Sequence, residues 1–199
     1  MAVFMDLVTS RRSIRRFLGR SVEREKIAIC LEAARLAPSA HNAQPARYVV
    51  IDDPALKEDV CRQAFSGIYS MCRFAAQAPV LVVILAKTSV VTHRLALGLQ
   101  KVPFHFVDIG IAGEHFILQA EELGLATCWI GWFNGRKTRK ALKVPRGYKI
   151  VALLPVGYAA SRPPRPAVRK PLEEVAWWNG VGREAEEKMK PEKKQAPEG

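Results

Sequence analysis

No stretch of this 199-residue chain approaches the roughly 18 unbroken apolar residues of a membrane span, so the sequence predicts no membrane-crossing helix. It contains no H-E-x-x-H and no G-x-S-x-G, and no G-x-G-x-x-G follows a strand-like run. Zincin, serine-hydrolase and Rossmann dinucleotide sites are therefore not what it encodes. Cysteine is scarce. Cys30, Cys61, Cys72 and Cys128 lie far apart in apolar surroundings with no C-x-x-C pair, which predicts reduced, mostly buried thiols and no metal, with catalysis or zinc binding as the alternative reading. Asp6 precedes the N-terminal basic run and no signal-peptide core is present, so the expected location is cytoplasmic.

Acid is also missing locally. The net charge of +12 does not come from the tail, where residues 183–199 hold five Lys/Arg and five Glu. It comes from three acid-free clusters, Arg11 to Arg20, Arg136 to Lys149 and Arg162 to Lys170. Clustered positive charge points to anionic ligands. Aromatic residues do not interleave with these clusters, which counts against a single-strand nucleic-acid groove. Nucleic-acid binding by the basic clusters stands as the alternative reading.

The densest cluster is Ser10-Arg11-Arg12-Ser13-Ile14-Arg15-Arg16-Phe17, with four arginines and two hydroxyls in eight residues. The guanidinium fork matches phosphate oxygens, and serine adds a short donor. Val3, Phe4, Leu7 and Val8 precede it at helical spacing, so it leaves the C-terminal end of a short helix. Side chains must then supply the charge, because a helix C-terminus repels anions.

Along the chain, Ser21 is the expected cap of a helix with Glu23 and Glu25 in its first turn, stopped by Pro38. Pro38-Ser39-Ala40-His41-Asn42-Ala43-Gln44-Pro45 reads as a loop, with His41 an ordinary loop histidine. Arg47 to Asp52 reads as a strand. Asp53-Pro54 starts a helix, and Gly67 separates it from a second short helix. Pro79 to Ala86 is a buried central strand. Residues 88–103 are the expected mobile lid. Phe104 to Gly124 is the longest helix, with Gly110, Ala112 and Gly113 allowing another backbone to approach. Leu125 to Gly131 and Lys149 to Tyr158 are strands, and Asn134 caps the helix between them. Pro163, Pro164, Pro166 and Pro171 force an extended path that ends in Trp177 and Trp178.

Arg11-Arg12-Ser13-Ile14-Arg15-Arg16-Phe17 resembles the R-x-S-x-R-x-F opening of the nitroreductase family of flavoenzymes. Pro38, Ser39, Asn42, Gln44 and Pro45 are similar to its P-S-x-x-N-x-Q-P loop. The run from Asp108 through Gly124 to Trp129-Ile130-Gly131 resembles its D-x-G-x-A…L-G-L-x-x-x-W-I-G stretch. The three matches occur in order, and the resemblance as a whole covers roughly residues 4–180.

The resemblance implies an α+β fold, a three-layer α-β-α sandwich with a mainly antiparallel sheet. It implies an intertwined homodimer with FMN at the interface and NADH or NADPH as donor. Residues 1–182 would form one FMN-binding domain, with 159–182 an arm reaching the partner and 183–199 a charged, disordered tail. Hydride would pass from NAD(P)H through flavin N5 to nitro, quinone or related acceptors in ping-pong turnover. Other implied roles are FMN binding without reductase turnover, or flavin chemistry such as dehalogenation. Arg11, Arg12, Ser13, Arg169 and Lys170 would hold the phosphate, with Arg162 and Arg165 as further arm candidates. Arg15 would face N1 and O2. Pro38, Ser39, Asn42 and Gln44 would come from the other chain, and the amides of Ile130 and Gly131 would face N5 and O4. No residue is required as a general acid, since water can protonate the product.

Overall fold

In the computed structural model the apolar run after Pro79 becomes β2 (Val80–Lys87), and both of its faces are covered. Val80, Val82, Ile84 and Ala86 point into one core, whereas Leu81, Val83 and Leu85 point into another. Side chains alternate along a strand, so a strand buried on both faces needs a continuous apolar sequence. The structure describes residues 4–87, 102–161 and 168–181. The expected lid at 88–103 falls largely outside them, as does the tail beyond residue 181. The chain divides into two units, Met1–Pro166 and Ala167–Gly199.

The first unit holds a four-stranded antiparallel sheet in the order β1-β2-β4-β3, with β1 at Ala46–Ile51, β3 at Ala126–Thr127 and β4 at Tyr148–Gly157. Helices α2 (Arg24–Arg35) and α4 (Phe104–Glu122) cover one face through Ile27, Cys30, Ala34, Ile109, Phe116 and Ala120. Helix α3 (Pro54–Ala64) and the 3-10 segment Gly67–Gln77 cover the other through Val60, Ala64, Phe65 and Ala75. Helix α5 (Gly135–Ala141) packs beside α3, and α1 (Phe4–Ser10) beside α4. This is the expected α-β-α sandwich.

The local signals held at two helix starts. Asp53 caps α3 by accepting the Leu56 N–H at 2.7 Å, with Pro54 in the first turn, and Asn134 caps α5 by accepting from Lys137 N at 3.0 Å. At α2 the expectation needs correcting. Ser21 lies outside the helix, Glu23 occupies the cap position, and no side chain caps the end. The Glu23 carboxylate is engaged elsewhere, accepting from the Tyr158 hydroxyl at 2.6 Å. Lys26 Nζ donates to the same hydroxyl at 2.9 Å. The hydrogen bond from Tyr158 brings the Glu23 carboxyl down to about 2.

The strand expected over Leu125 to Gly131 is shorter than its sequence suggested. Only Ala126–Thr127 pairs continuously, and contact resumes as one bridge between Ile130 and Leu153. Within the small-residue cluster on α4, Gly113 meets a neighbour in its own chain, whereas nothing lies within 4 Å of a methyl at Gly110. A methyl at Gly113 would lie 2.2 Å from Cζ3 of Trp129, so the close approach is to an indole of the same chain. Burial pushes the Cys30 thiol up to about 12 and Cys61 up to about 11, which makes both inert packing groups.

Candidate functional site

The basic stretch begins where α1 ends. Arg12 Nη1 donates to the carbonyls of Thr9, Ser10 (3.1 Å) and Arg11 (3.1 Å), placing positive charge on the negative end of that helix. The chain then runs extended along the sheet edge. Ile14 N–H donates to Thr127 O at 2.9 Å, Leu18 N–H to Tyr158 O at 2.8 Å, and Arg16 O accepts from Ala160 N at 3.0 Å. Ile14 and Phe17 are buried with Ala78 and Ala126, whereas Ser13, Arg15 and Arg16 are exposed. Two apolar anchors thus hold a cationic segment outward. Beneath it β4 passes so closely that a methyl on Gly157 would meet Pro79 Cδ at 2.6 Å and Phe17 Cδ1 at 3.2 Å.

Arg11 and Arg15 act on one place. Burial pushes the Cys128 thiol up, and the positive charges of Arg15 and Arg11 pull against that shift. Arg15 also lies over the Phe74 ring, 6.0 Å from its centroid, and Arg11 Nε is 3.8 Å from Glu114 Oε1 on α4. Three residues beyond Cys128 is Gly131, exposed and with open space beside its Cα. Ile130 differs from Gly131. It is buried, and its N–H donates to Leu153 O at 2.9 Å while its carbonyl accepts from Leu153 N at 3.0 Å. The sheet therefore consumes the Ile130 amide, and of the two expected donors Gly131 faces outward.

The proline-bracketed loop is held in an uncommon shape. His41, Asn42 and Gln44 have φ of 51°, 53° and 44°, in the left-handed region. Non-glycine residues there cost on the order of 1–3 kcal/mol each and persist only where neighbours over-determine them. Ser39 Oγ accepts from Gln44 N at 2.9 Å, Asn42 Oδ1 accepts from Gln44 Nε2 at 2.9 Å, and Asp108 Oδ1 accepts from Ala40 N at 3.0 Å. These bonds leave the hydroxyl hydrogen of half-buried Ser39 and the Nδ2 of exposed Asn42 as donors. Pro45 is buried, and Pro38 and Gln44 line a cavity of about 360 Å³ beneath the loop.

Arg169 and Lys170 lie in the second unit, both exposed, with Lys170 Nζ 3.7 Å from Glu174 Oε2. Arg162 and Arg165 fall outside the described residues. Trp178 in that unit is 93% exposed. Two features escaped the sequence reading. Trp132 Nε1 donates to Ile68 O at 3.2 Å and its ring meets Tyr69 at 5.1 Å, which sets an exposed aromatic wall next to Gly131. Trp132 was one position from a quoted motif, but its partner lies more than 60 residues away. Asp108 was read as part of a motif without a role.

A model of the nitroreductase family matches residues 8–158, which takes in the basic stretch, the loop and Gly131. The chain belongs to the nitroreductase family. Among similar proteins, an NADH dehydrogenase of Thermus thermophilus is 32% identical over 84% of this chain and 92% of its own. An iodotyrosine deiodinase of Thermotoga neapolitana is 26% identical over 88% of this chain and 96% of its own. The solved structure of an FMN-dependent nitroreductase from Clostridium difficile superposes with a TM-score of 0.70 at 26% identity, covering 88% of this chain and 99% of the other. The nitroreductase fold and the three motifs thus coincide in one chain.

Proposed function

We propose that the protein is an FMN-dependent NAD(P)H oxidoreductase that works as a homodimer. The carrying observation is the cationic segment that leaves α1, where Ser13, Arg15 and Arg16 are exposed between the buried anchors Ile14 and Phe17, in a chain matched to the nitroreductase family over residues 8–158. A phosphorylated flavin needs cations for its phosphate and donors for its ring carbonyls and nitrogens, and these residues fit both needs. Bound FMN would supply the hydride relay, accepting hydride from NADH or NADPH and passing it on to a nitro, quinone or related acceptor in ping-pong turnover.

The chain's own groups do the rest. Arg11 and Ser13 hold the phosphate. Arg12 supports them by fixing the end of α1. Arg15 places a preorganised positive charge where reduction adds negative charge. The Gly131 N–H donates to the ring edge, and Ser39 and Asn42 offer donors from a second copy, with Pro38 and Gln44 shaping the loop.

Two chains are invoked for a physical reason. Helix α2 lies between the basic stretch and the loop, and its 12 residues span roughly 18 Å at 1.5 Å per residue. One chain's two motifs are set apart by that helix. Phe104, Val107 and Ile111 form an exposed apolar stripe on α4, and Phe4, Met5 and Val8 are exposed on α1. Contiguous apolar surface of this kind supports a protein interface.

The test is anaerobic addition of NADH or NADPH to FMN-loaded protein. The yellow colour should bleach and return when a quinone or nitroarene is added. Colour that survives both donors refutes the reductase reading. The deiodinase named among the relatives favours one second reading, reductive dehalogenation. Reoxidation by a halotyrosine, and by neither of the other acceptors, would select it.

A further inference from the structure

Asp108 on α4 is 5% exposed, and it lines the cavity beneath the loop together with Ala112, Tyr48 and Pro45. A carboxylate is expensive to bury unless its oxygens are used. Its Oδ1 accepts the Ala40 N–H at 3.0 Å, across 68 residues of sequence. Ala40 opens the 3-10 turn Ala40–Asn42, so its N–H is one that the turn cannot satisfy by itself. On one side of it stands Ser39, extended at φ −145° and ψ 151°, and on the other stand the left-handed His41 and Asn42. The bond is therefore made at the pivot between the two donor residues of the loop, Ser39 and Asn42. The bonds from Gln44 to Ser39 and Asn42 are internal to the loop, and its far end is tied to the sheet by Lys87 N–H donating to Pro45 O and Arg47 Nη1 donating to Gln44 O, both at 2.8 Å, so the Ala40 N–H bond is the tether at its near end.

We infer that Asp108 is a positioning residue for flavin binding, which holds the Ser39–Asn42 donor pair in its binding shape through the Ala40 N–H. The inference rests on the FMN reading above. It assigns Asp108 no contact with the cofactor. Without the bond, the loop spends part of its time in other shapes, and apparent affinity falls by the fraction of time the competent shape is lost.

The test is FMN titration with wild type, Asp108→Ala, Asp108→Asn and Ala40→Pro, together with amide exchange over residues 39–44 in the FMN-free protein. Asn keeps an acceptor oxygen at the same place. Proline deletes the donor from the loop side, where an extended preceding residue tolerates it. Asp108→Ala should raise the Kd for FMN by roughly tenfold and speed exchange over 39–44, while β2 stays protected. Asp108→Asn should restore both to within about threefold of wild type. Ala40→Pro should weaken binding as Asp108→Ala does, and the double variant should be no weaker than Asp108→Ala, because both remove one bond. If Asp108→Ala does not fold, Ala40→Pro and Asp108→Asn decide. Wild-type affinity in Ala40→Pro, or an Asn variant as weak as Ala, overturns the inference and leaves the FMN reading standing. A wild type that does not bind FMN overturns both.

Discussion

Gly157→Ala probes the link between the sheet and the basic stretch. The added methyl would sit 2.6 Å from Pro79 Cδ and 3.2 Å from both Pro79 Cγ and Phe17 Cδ1. Carbon atoms in contact normally stand about 3.5–4.0 Å apart, so the nearest overlap is about 1 Å. Pro79 cannot yield easily, because its ring closes on the backbone immediately before β2. Phe17 is the softer neighbour, and it is the anchor that holds Arg15 and Arg16 outward. Overpacking of a tight site costs about 1–3 kcal/mol, and replacing a strand glycine returns about 0.5–1 kcal/mol of chain entropy. Because the nearest contact is with the rigid Pro79 ring, the upper part of the cost range applies, and the net loss is about 2 kcal/mol, which for a chain of this length lowers Tm by roughly 5 °C. Thermal and urea unfolding of the FMN-free protein would measure it, with Gly19→Ala as control because nothing lies within 4 Å of a methyl there. The displaced Phe17 should also weaken FMN binding. A Gly157→Ala protein as stable as wild type would refute the tight packing of β4 against the basic stretch.

Three further outcomes follow from the same structure. Arg15→Gln should lower the flavin midpoint potential with FMN still bound; Arg15 is exposed, so about 1 kcal/mol or roughly 20 mV for two electrons is expected, and an unchanged potential would mean that Arg15 does not face the reducible ring. Glu23 has its folded pKa depressed from 4.5 to about 2, so its contribution to stability is present above about 4.5 and is lost as pH falls towards 2. Tyr158→Phe removes the main cause of that shift and should flatten the fall in urea midpoint over this window. Val107→Glu with Ile111→Glu puts charge on the exposed stripe of α4 and should convert a dimer to a monomer in sedimentation, with FMN affinity lost alongside.

Much of the fold was legible because its signals are local. The two-sided burial of β2 is written in eight consecutive residues, and the Asp53 and Asn134 caps follow from side chains three positions from the amides they bond. The exit of the basic stretch from the end of a short helix was legible for the same reason. What stayed hidden depends on partners distant in sequence. Ser21 was read as a cap because nothing local says that Tyr158 would engage Glu23. The Ile130 amide is consumed by Leu153, and the gap at Gly113 is filled by Trp129. The left-handed conformations of His41 and Gln44 carry no residue signal, since neither is glycine and their support includes a bond from the loop to Asp108.

The central claim is that this chain folds around a site for FMN. Thermal unfolding of purified protein, stripped of any bound flavin, with and without added FMN tests it most directly. At a hundredfold excess over Kd the cofactor should stabilise the folded state by about 2.7 kcal/mol and raise Tm by roughly 5–10 °C, with a yellow complex that survives gel filtration. A protein that stays colourless and melts at the same temperature in saturating FMN would contradict the account.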